Sequence, residues 1–229
     1  MKLGIMQPYF LPYIGYFQLI KAVDKYVIFD DVNYIMRGWI NRNNFLVNGE
    51  RILLTISLNK SSSNKLINQV EIVDNFTNFM KTVRQNYGKA PYFKDVYPLL
   101  ERIVQYDDKC LSRFNANSIK EICNYLGIDT TLLISSDLPK DCSLKGMAKG
   151  LEICRLLKTD VYINAIGGQK LYKKEDFSLY NIELYFLQTD NISYKQFNKT
   201  FISNLSILDV LMFNSVKDAN TLLDKYKLI

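Results

Sequence analysis

"MKLGIMQPYFLPYIGYFQLIKAVDKYVIFDDVNYIMRGWINRN", residues 1–43, decides the fold. A short apolar run, Leu3 to Met6, ends at Gln7, and two prolines then bracket an aromatic loop, Pro8-Tyr9-Phe10-Leu11-Pro12. A helical stretch follows from about Tyr13 to Val23, and a second apolar run, Tyr26 to Phe29, stops on the adjacent carboxylates Asp30 and Asp31. Strand, loop, helix, strand in this spacing predicts two parallel neighbours joined by a crossover helix. In such a sheet ligands sit beyond the carboxyl ends of the strands. Gln7, the Pro-Tyr-Phe loop and both aspartates project from that edge. The polar run Arg37-Gly38-Trp39-Ile40-Asn41-Arg42-Asn43 leaves from the same side.

Working outward, Arg51–Leu58 and Leu66–Val73 are rich in β-branched residues and predict strands. Asn48-Gly49 is a tight-turn signal that predicts a hairpin from about Asn44 to Leu58. At Asp74 the apolar period changes to that of a helix, capped by Asp74 or Asn75 and running to about Tyr87. Helices over Phe93–Tyr106 and Leu111–Leu126 follow, the last stopped by Gly127. Beyond it, strands at Thr130–Ile134, Val161–Ala165 and Glu183–Leu187 alternate with a helix over Lys145–Leu157. The segment around Leu205–Asp209 predicts helix to the end, with Asn204 or Ser206 as a cap. The expected fold is α/β: a Rossmann-like, mostly parallel sheet flanked by helices, with an antiparallel hairpin extension (about 44–73) and a helical middle section (about 74–127). With no internal repeat and no low-complexity linker, one domain over residues 1–229 is expected.

Composition narrows the chemistry. Of 229 residues 48% are apolar, too many for a disordered chain. No apolar run approaches the roughly 20 residues that cross a bilayer. Gln-Pro interrupts the first apolar segment, unlike a signal peptide. Cys110, Cys123, Cys142 and Cys154 form no CxxC pair, so reduced thiols and a cytoplasmic location are expected. The net charge of +6 is dispersed rather than gathered in a patch, which does not suggest a nucleic-acid binder. The chain has no histidine. Ser-His-Asp and Cys-His machinery, HExxH zinc sites and histidine bases are therefore excluded, and proton transfer falls to Asp, Glu, Tyr, Lys, Cys or the substrate.

Each candidate residue has a chemical reason and an ordinary structural alternative. Gln7 can orient a carbonyl or a hydroxyl, or it can be a turn residue. Tyr9, Tyr13 and Tyr16 offer phenols or stacking faces, although two of the three are expected to pack. Asp30 and Asp31 point to opposite faces if the strand continues, so one of them can meet a substrate ammonium or accept its proton. Arg37 and Arg42 suit phosphate oxygens, and Trp39, the single tryptophan, suits a nucleobase or sugar face. Asn41 and Asn43 complete that cluster. Ser135 and Ser136 follow a strand and can meet a phosphate or cap a helix. Gly167-Gly168 permits close backbone approach, with Tyr172 nearby. Ser206 and Asp209 read as a helix's first turn, and Cys142 as a thiol in a polar loop. No metal site is expected.

The blocks MQPYFLPYIGYFQLI, FDDV, RGWINRN, KAPYF, LGI, SSDL, YINAIGGQKLY and LSILDVLMFN occur in this order. Together they resemble the WbqC-like family of bacterial polysaccharide-cluster proteins, from Met6 to about Asn214. The resemblance implies transfer of glycine, or a similar aminoacyl group, to the amine of a nucleotide-linked 4-amino-4,6-dideoxy sugar in O-antigen synthesis. No cofactor is expected, and since amine attack on a thioester is already favourable, a carrier-bound thioester is the expected donor and an acyl or aminoacyl carrier protein the expected partner. A weaker resemblance, at the level of fold, is to nucleotidylyltransferase-like enzymes and pantothenate synthetase. It implies an alternative, an ATP/Mg2+-dependent amide ligase working through an aminoacyl adenylate, although the HxGH motif of those enzymes is missing. A non-catalytic glycan-pathway binding protein is the third reading.

Overall fold

Strand β1 (Lys2–Met6) lies inside a sheet whose strands the chain visits first on one side and then on the other. A computed structural model describes residues 1–197 and 200–229. From β1 the chain passes through α1 (Ile14–Lys21) into β2 (Lys25–Ile28), which pairs in parallel register with Leu3 opposite Lys25 and Met6 opposite Ile28. It then builds a hairpin, β3 (Arg42–Val47) and β4 (Glu50–Thr55), and a short ladder, β5 (Leu58–Asn59) with β6 (Glu71–Ile72). Three helices follow, α2 (Thr77–Tyr87), α3 (Phe93–Val104) and α4 (Leu111–Leu126), before β7 (Thr131–Ile134) adds beside β2. After α5 (Gly146–Leu156), strand β8 (Val161–Ala165) lands on the other side of β1. Helix α6 (Lys174–Ser178) leads to β9 (Glu183–Thr189), and α7 (Ile207–Phe213) and α8 (Val216–Leu223) lead to β10 (Tyr226–Leu228). The order β10-β9-β8-β1-β2-β7 is parallel except at β10, so the expected Rossmann-like α/β sheet is present and its direction of growth reverses between β1 and β8.

Period-two alternation gives the sheet two apolar faces. Tyr26, Ile28, Ile163 and Leu187 join the larger core beneath the helical section, while Leu3, Ile5, Val27, Tyr162 and Phe186 pack on the other face with Ile153, Cys154 and Phe177. The hairpin turn has the shape its sequence demands: Asn48 and Gly49 both take positive φ, 51° and 79°, the pattern of a two-residue turn matched to strand twist. Gly127, at φ 68°, ends α4 as expected.

Two expectations need correction. Leu66–Val73 is not one strand but a 3-10 turn, Ile67–Gln69, followed by the two residues of β6. Ile67 and Val70 are both buried. A strand would send residues three apart to opposite faces, whereas a 3-10 turn sends them to the same one. The chain also does not stay helical to its end: β10 pairs antiparallel with β9 and covers an edge of alternating apolar residues that would otherwise be open. No helix among the described residues is long and apolar enough to cross a membrane.

Candidate functional site

The crevice beyond β1 and β8 is the switch point of the sheet, where ligands of open α/β folds bind. It opens into a cleft of about 660 Å3. Gln7 and Tyr9 enter it from the end of β1, Asp31 and Asn33 from beyond β2, and Asn164, Gly167 and Gly168 from the end of β8. Lys145, Gly146 and Lys149 come from the start of α5, and Cys142 and Tyr172 also line it.

The loop that presents Gln7 and Tyr9 is held mostly through its carbonyls, since Pro8 and Pro12 have no N–H to give. Tyr16 donates to the Gln7 carbonyl (3.0 Å), and Asn115 Nδ2 donates to that of Pro8 (3.1 Å). Asn43 Nδ2 donates to Phe10 and Leu11, Ser206 Oγ to Leu11, and the Ile207 N–H to Pro12. The aromatic loop is thus fixed from α1, α4, β3 and the start of α7. The Gln7 side-chain amide and the Tyr9 hydroxyl have no hydrogen-bond partner among the described residues. Burial, and for Tyr9 the neighbouring Tyr13, pushes both phenols above their ordinary value, so both stay protonated donors.

The twin aspartates separate, although β2 has already ended at Ile28. Asp30 does not line the cleft. Its carboxylate accepts from the Ser136 N–H (2.9 Å), Ser136 Oγ (2.7 Å) and Asn68 Nδ2 (3.3 Å), tying the ends of β2 and β7 to the 3-10 turn. Asp31 faces the cleft floor. Ser135 Oγ donates to its Oδ1 at 2.7 Å, and Lys140 and Lys149 reach its Oδ2 at 2.9 and 3.2 Å. Lys149 also donates to the Asp31 carbonyl (2.9 Å), and Lys140 to the Ser135 carbonyl. Burial pushes the Asp31 carboxyl up, but hydrogen bonds from Ser135, Lys140 and Lys149 and the charge of Lys140 outweigh it, leaving it below the usual 3.8. It is ionised at neutral pH and a poor proton acceptor.

Two ammonium groups on one carboxylate leave the floor with an excess positive charge. Uncompensated charge in a partly dry site favours an anion from solution. The α5 N-terminus adds to this: the helix has 11 residues, no side chain caps its first N–H groups, and its first residue, Gly146, has open space where a Cβ would stand. Lys145, the N-cap residue, makes no ion pair among the described residues. Opposite, Gly168 has a steric reason to be glycine. A Cβ there would stand 2.9 Å from the Asn164 amide, which is itself held by the Ala165 N–H and donates to Tyr162 Oη.

The other expected residues fall elsewhere. Tyr16 is buried under Tyr9, with its ring also against Tyr26, and acts on Gln7 only through the carbonyl. Ser135 and Ser136 serve the two aspartates. Asn41 is turned inward, donating to the Ile56 carbonyl and accepting from Tyr34. Asn43 is spent on the aromatic loop. Arg42 donates to the Gly38 carbonyl, and Arg37 stands exposed at a loop tip; neither lines the cleft. Trp39, with Asn43, lines a second hollow that Tyr9 also borders. The residues that sequence reasoning passed over are Lys140, Lys145, Lys149, Asn33 and Asn164. The signal available was Ser143-Leu144-Lys145-Gly146, a polar start to a helix that follows the third parallel strand.

Residues 7–221 match the model of the WbqC-like protein family. An uncharacterized protein of Mycobacterium tuberculosis, Rv1507c, is 28% identical over 219 residues, which span 93% of each chain. No solved structure matches the chain significantly.

Proposed function

The chain belongs to the WbqC-like protein family, and from that premise and the cleft we propose that it transfers an aminoacyl group, glycyl first among candidates, to the amine of a nucleotide-linked 4-amino-4,6-dideoxy sugar in surface-polysaccharide synthesis. The observation that carries this reading is the anion-seeking floor at the switch point: Lys145, Lys149 and the uncapped start of α5, suited to a diphosphate. The reaction asks little of the protein beyond position. The sugar amine attacks an activated carbonyl, a carrier-bound thioester in this proposal; the C–N bond forms, the C–S bond breaks, and the departing thiolate takes the amine's proton. The free Gln7 amide is placed to donate to the carbonyl oxygen as charge grows on it. Asp31 holds Lys140 and Lys149 rather than serving as a base, as its lowered pKa requires. The absence of histidine is tolerated because the leaving group carries the proton away. Nucleotide sugars are cytoplasmic, which sets the compartment in this reading.

The test combines purified protein, nucleotide amino sugar and glycyl donor, with mass spectrometry reading the glycyl increment on the sugar. No increment with any of glycyl-CoA, glycyl carrier protein or ATP plus glycine overturns the proposal. The same anion site also favours a second reading, amide formation through an aminoacyl adenylate. Pyrophosphate release dependent on ATP and glycine distinguishes it.

A further inference from the structure

Tyr9 lines two clefts. The second, about 380 Å3, is walled by Tyr9, Pro12, Tyr13 and Trp39, with Arg51 of β4 and Asn44 of β3 beside them. Its aromatic character is built in. The Phe10 N–H donates to the Trp39 carbonyl (3.2 Å), which holds the tryptophan segment against the aromatic loop. Tyr13 is bridged to Ser206 through its backbone, and its ring lies where a side chain on Gly15 would collide. Trp39 is 46% exposed, so its ring face is open to the cleft that it lines.

We propose that this cleft seats the nucleobase of the nucleotide-linked substrate, flat against Trp39 and Tyr13, with the Arg51 guanidinium meeting the phosphate next to the ribose. The proposal rests on the acyl-transfer reading for the ligand's class and goes further by assigning a compartment and three residues, Tyr13, Asn44 and Arg51, to recognition of the base end. The chemistry separates a base from a sugar ring. A pyranose has hydroxyls around its whole rim and needs many polar partners when enclosed. Here the Asn43 amide is already used by Phe10, Leu11 and Asn44, and the walls are mostly carbon. A base has two apolar faces and polar atoms only at its edge. The edge partners present are the Asn44 and Asn204 amides, each able to donate and accept, and the Tyr13 hydroxyl, none of whose side chains has a hydrogen-bond partner among the described residues. Arg51 spends one N–H on the Ser203 carbonyl (2.8 Å), which anchors the guanidinium, and its other donors make no hydrogen bond among the described residues. Because Tyr9 lines both clefts, a base in one and a distal phosphate near Lys145 in the other belong to one extended ligand in this proposal.

Trp39 is the only tryptophan, so its fluorescence reports this cleft alone. The intact protein is titrated with uridine, thymidine, adenosine and guanosine, with their 5′-mono- and diphosphates, and with ribose 5-phosphate, glucose 1-phosphate and pyrophosphate. Calorimetry runs in parallel. Quenching by at least one nucleotide and by none of the base-free compounds is expected. Trp39→Leu, followed by calorimetry, weakens that nucleotide roughly 5- to 100-fold, the range for loss of a base–aromatic stack. Arg51→Gln removes the advantage of the 5′-monophosphate over the nucleoside while leaving the nucleoside's own affinity unchanged. Nucleotide binding seen by calorimetry with a silent Trp39, or with Arg51→Gln indistinguishable from the parent, overturns this assignment and leaves the acyl-transfer reading standing. A response to glucose 1-phosphate but to no nucleotide overturns it in favour of a sugar seat. Binding of no nucleotide by either method overturns both.

Discussion

Asp31 and Asp209 are the same residue type, both withdrawn from solvent with Asp209 the deeper, and their surroundings send them in opposite directions. Asp31, at the end of β2, is met by two lysines and a serine and is held below its usual pKa. Asp209, in the first turn of α7, is met by Tyr87 Oη (3.0 Å), Tyr194 Oη (2.6 Å) and Gln196 Nε2 (2.7 Å), with no cation in contact among the described residues. Burial raises its pKa above 3.8, and those three hydrogen bonds only partly offset the rise. The difference teaches where to look for chemistry. At Asp31 the surplus charge is cationic and opens to a cleft. At Asp209 every donor is spent inside the fold, and Tyr87 passes the restraint on by accepting from the Leu46 N–H of the hairpin. One carboxylate prepares a site; the other pins the element that carries Asn44 and Arg51.

The largest combined effect, on stability and on glycyl transfer together, is expected from Asp31→Asn. It leaves Lys140 and Lys149 without a counter-charge, and removing one partner from a buried pair costs about 3–5 kcal/mol. Urea denaturation reads the loss, and glycyl transfer falls with it. Asp209→Ala comes next. It strands three donors, at about 1–3 kcal/mol for each one left without a substitute partner, whereas Asp209→Asn restores acceptors for most of them. If Asp209→Ala unfolds at the same urea concentration as the parent, the knot is not structural and the contrast fails.

Acid sharpens the same contrast. A carboxyl that is harder to ionise folded than unfolded contributes stability below the unfolded value of 3.8 and loses it as pH rises through the higher folded value. Asp209 therefore favours the fold more as pH drops from neutral towards 4. Asp31, easier to ionise when folded, contributes above 3.8 and loses that contribution as pH falls through its lower folded value. Urea midpoints from pH 3 to 7 are expected to show Asp209→Asn gaining on the parent towards neutral pH, and Asp31→Asn gaining on it only below about 3.8. Parallel curves for the two variants would contradict the opposed surroundings.

The sheet was legible because local signals and topology agreed: the first strand-loop-helix-strand unit, the Asn-Gly turn and the Gly127 stop each depend on neighbours in sequence. The Leu66–Val73 turn was not, since only tertiary burial tells Ile67 and Val70 that they share a face. The site was half legible. Gln7, Tyr9, Asp31 and the glycine pair sit at strand ends, where the parallel-sheet rule places ligands. The lysines reach Asp31 from more than 100 residues away in the chain, as the 118-residue separation of Lys149 shows, and no local pattern couples them. The Arg-Trp-Asn-Arg run shows the limit most clearly. Its composition suits a phosphate site, yet Asn41 and Asn43 satisfy backbone carbonyls, Arg42 closes its own loop, and the arginine beside Trp39 comes from the hairpin instead.

A smaller effect is expected on the opposite wall of the cleft. Gly168→Ala sets a methyl against the Asn164 amide at 2.9 Å. The amide has to yield by some tenths of an ångström, and a displaced positioning group lowers kcat/KM by roughly ten-fold while the fold tolerates the change. The accompanying urea midpoint separates the two: a large fall in stability with unchanged turnover per folded molecule would make Gly168 a packing residue only.

The smallest effect is the most pointed. Arg37 is exposed, with φ at 62°, and borders neither cleft. Arg37→Gly relieves the backbone strain of a left-handed residue at a loop tip, and with no side-chain hydrogen bond or ion pair among the described residues to lose it should leave stability within about 0.5 kcal/mol and kcat/KM within roughly two-fold. Arg51→Gln, by contrast, keeps its strand and loses only a guanidinium, yet it should weaken nucleotide binding. A reversal of that order, with Arg37 needed for nucleotide and Arg51 dispensable, would mean that the loop closes over the ligand and that the hairpin arginine merely secures Ser203.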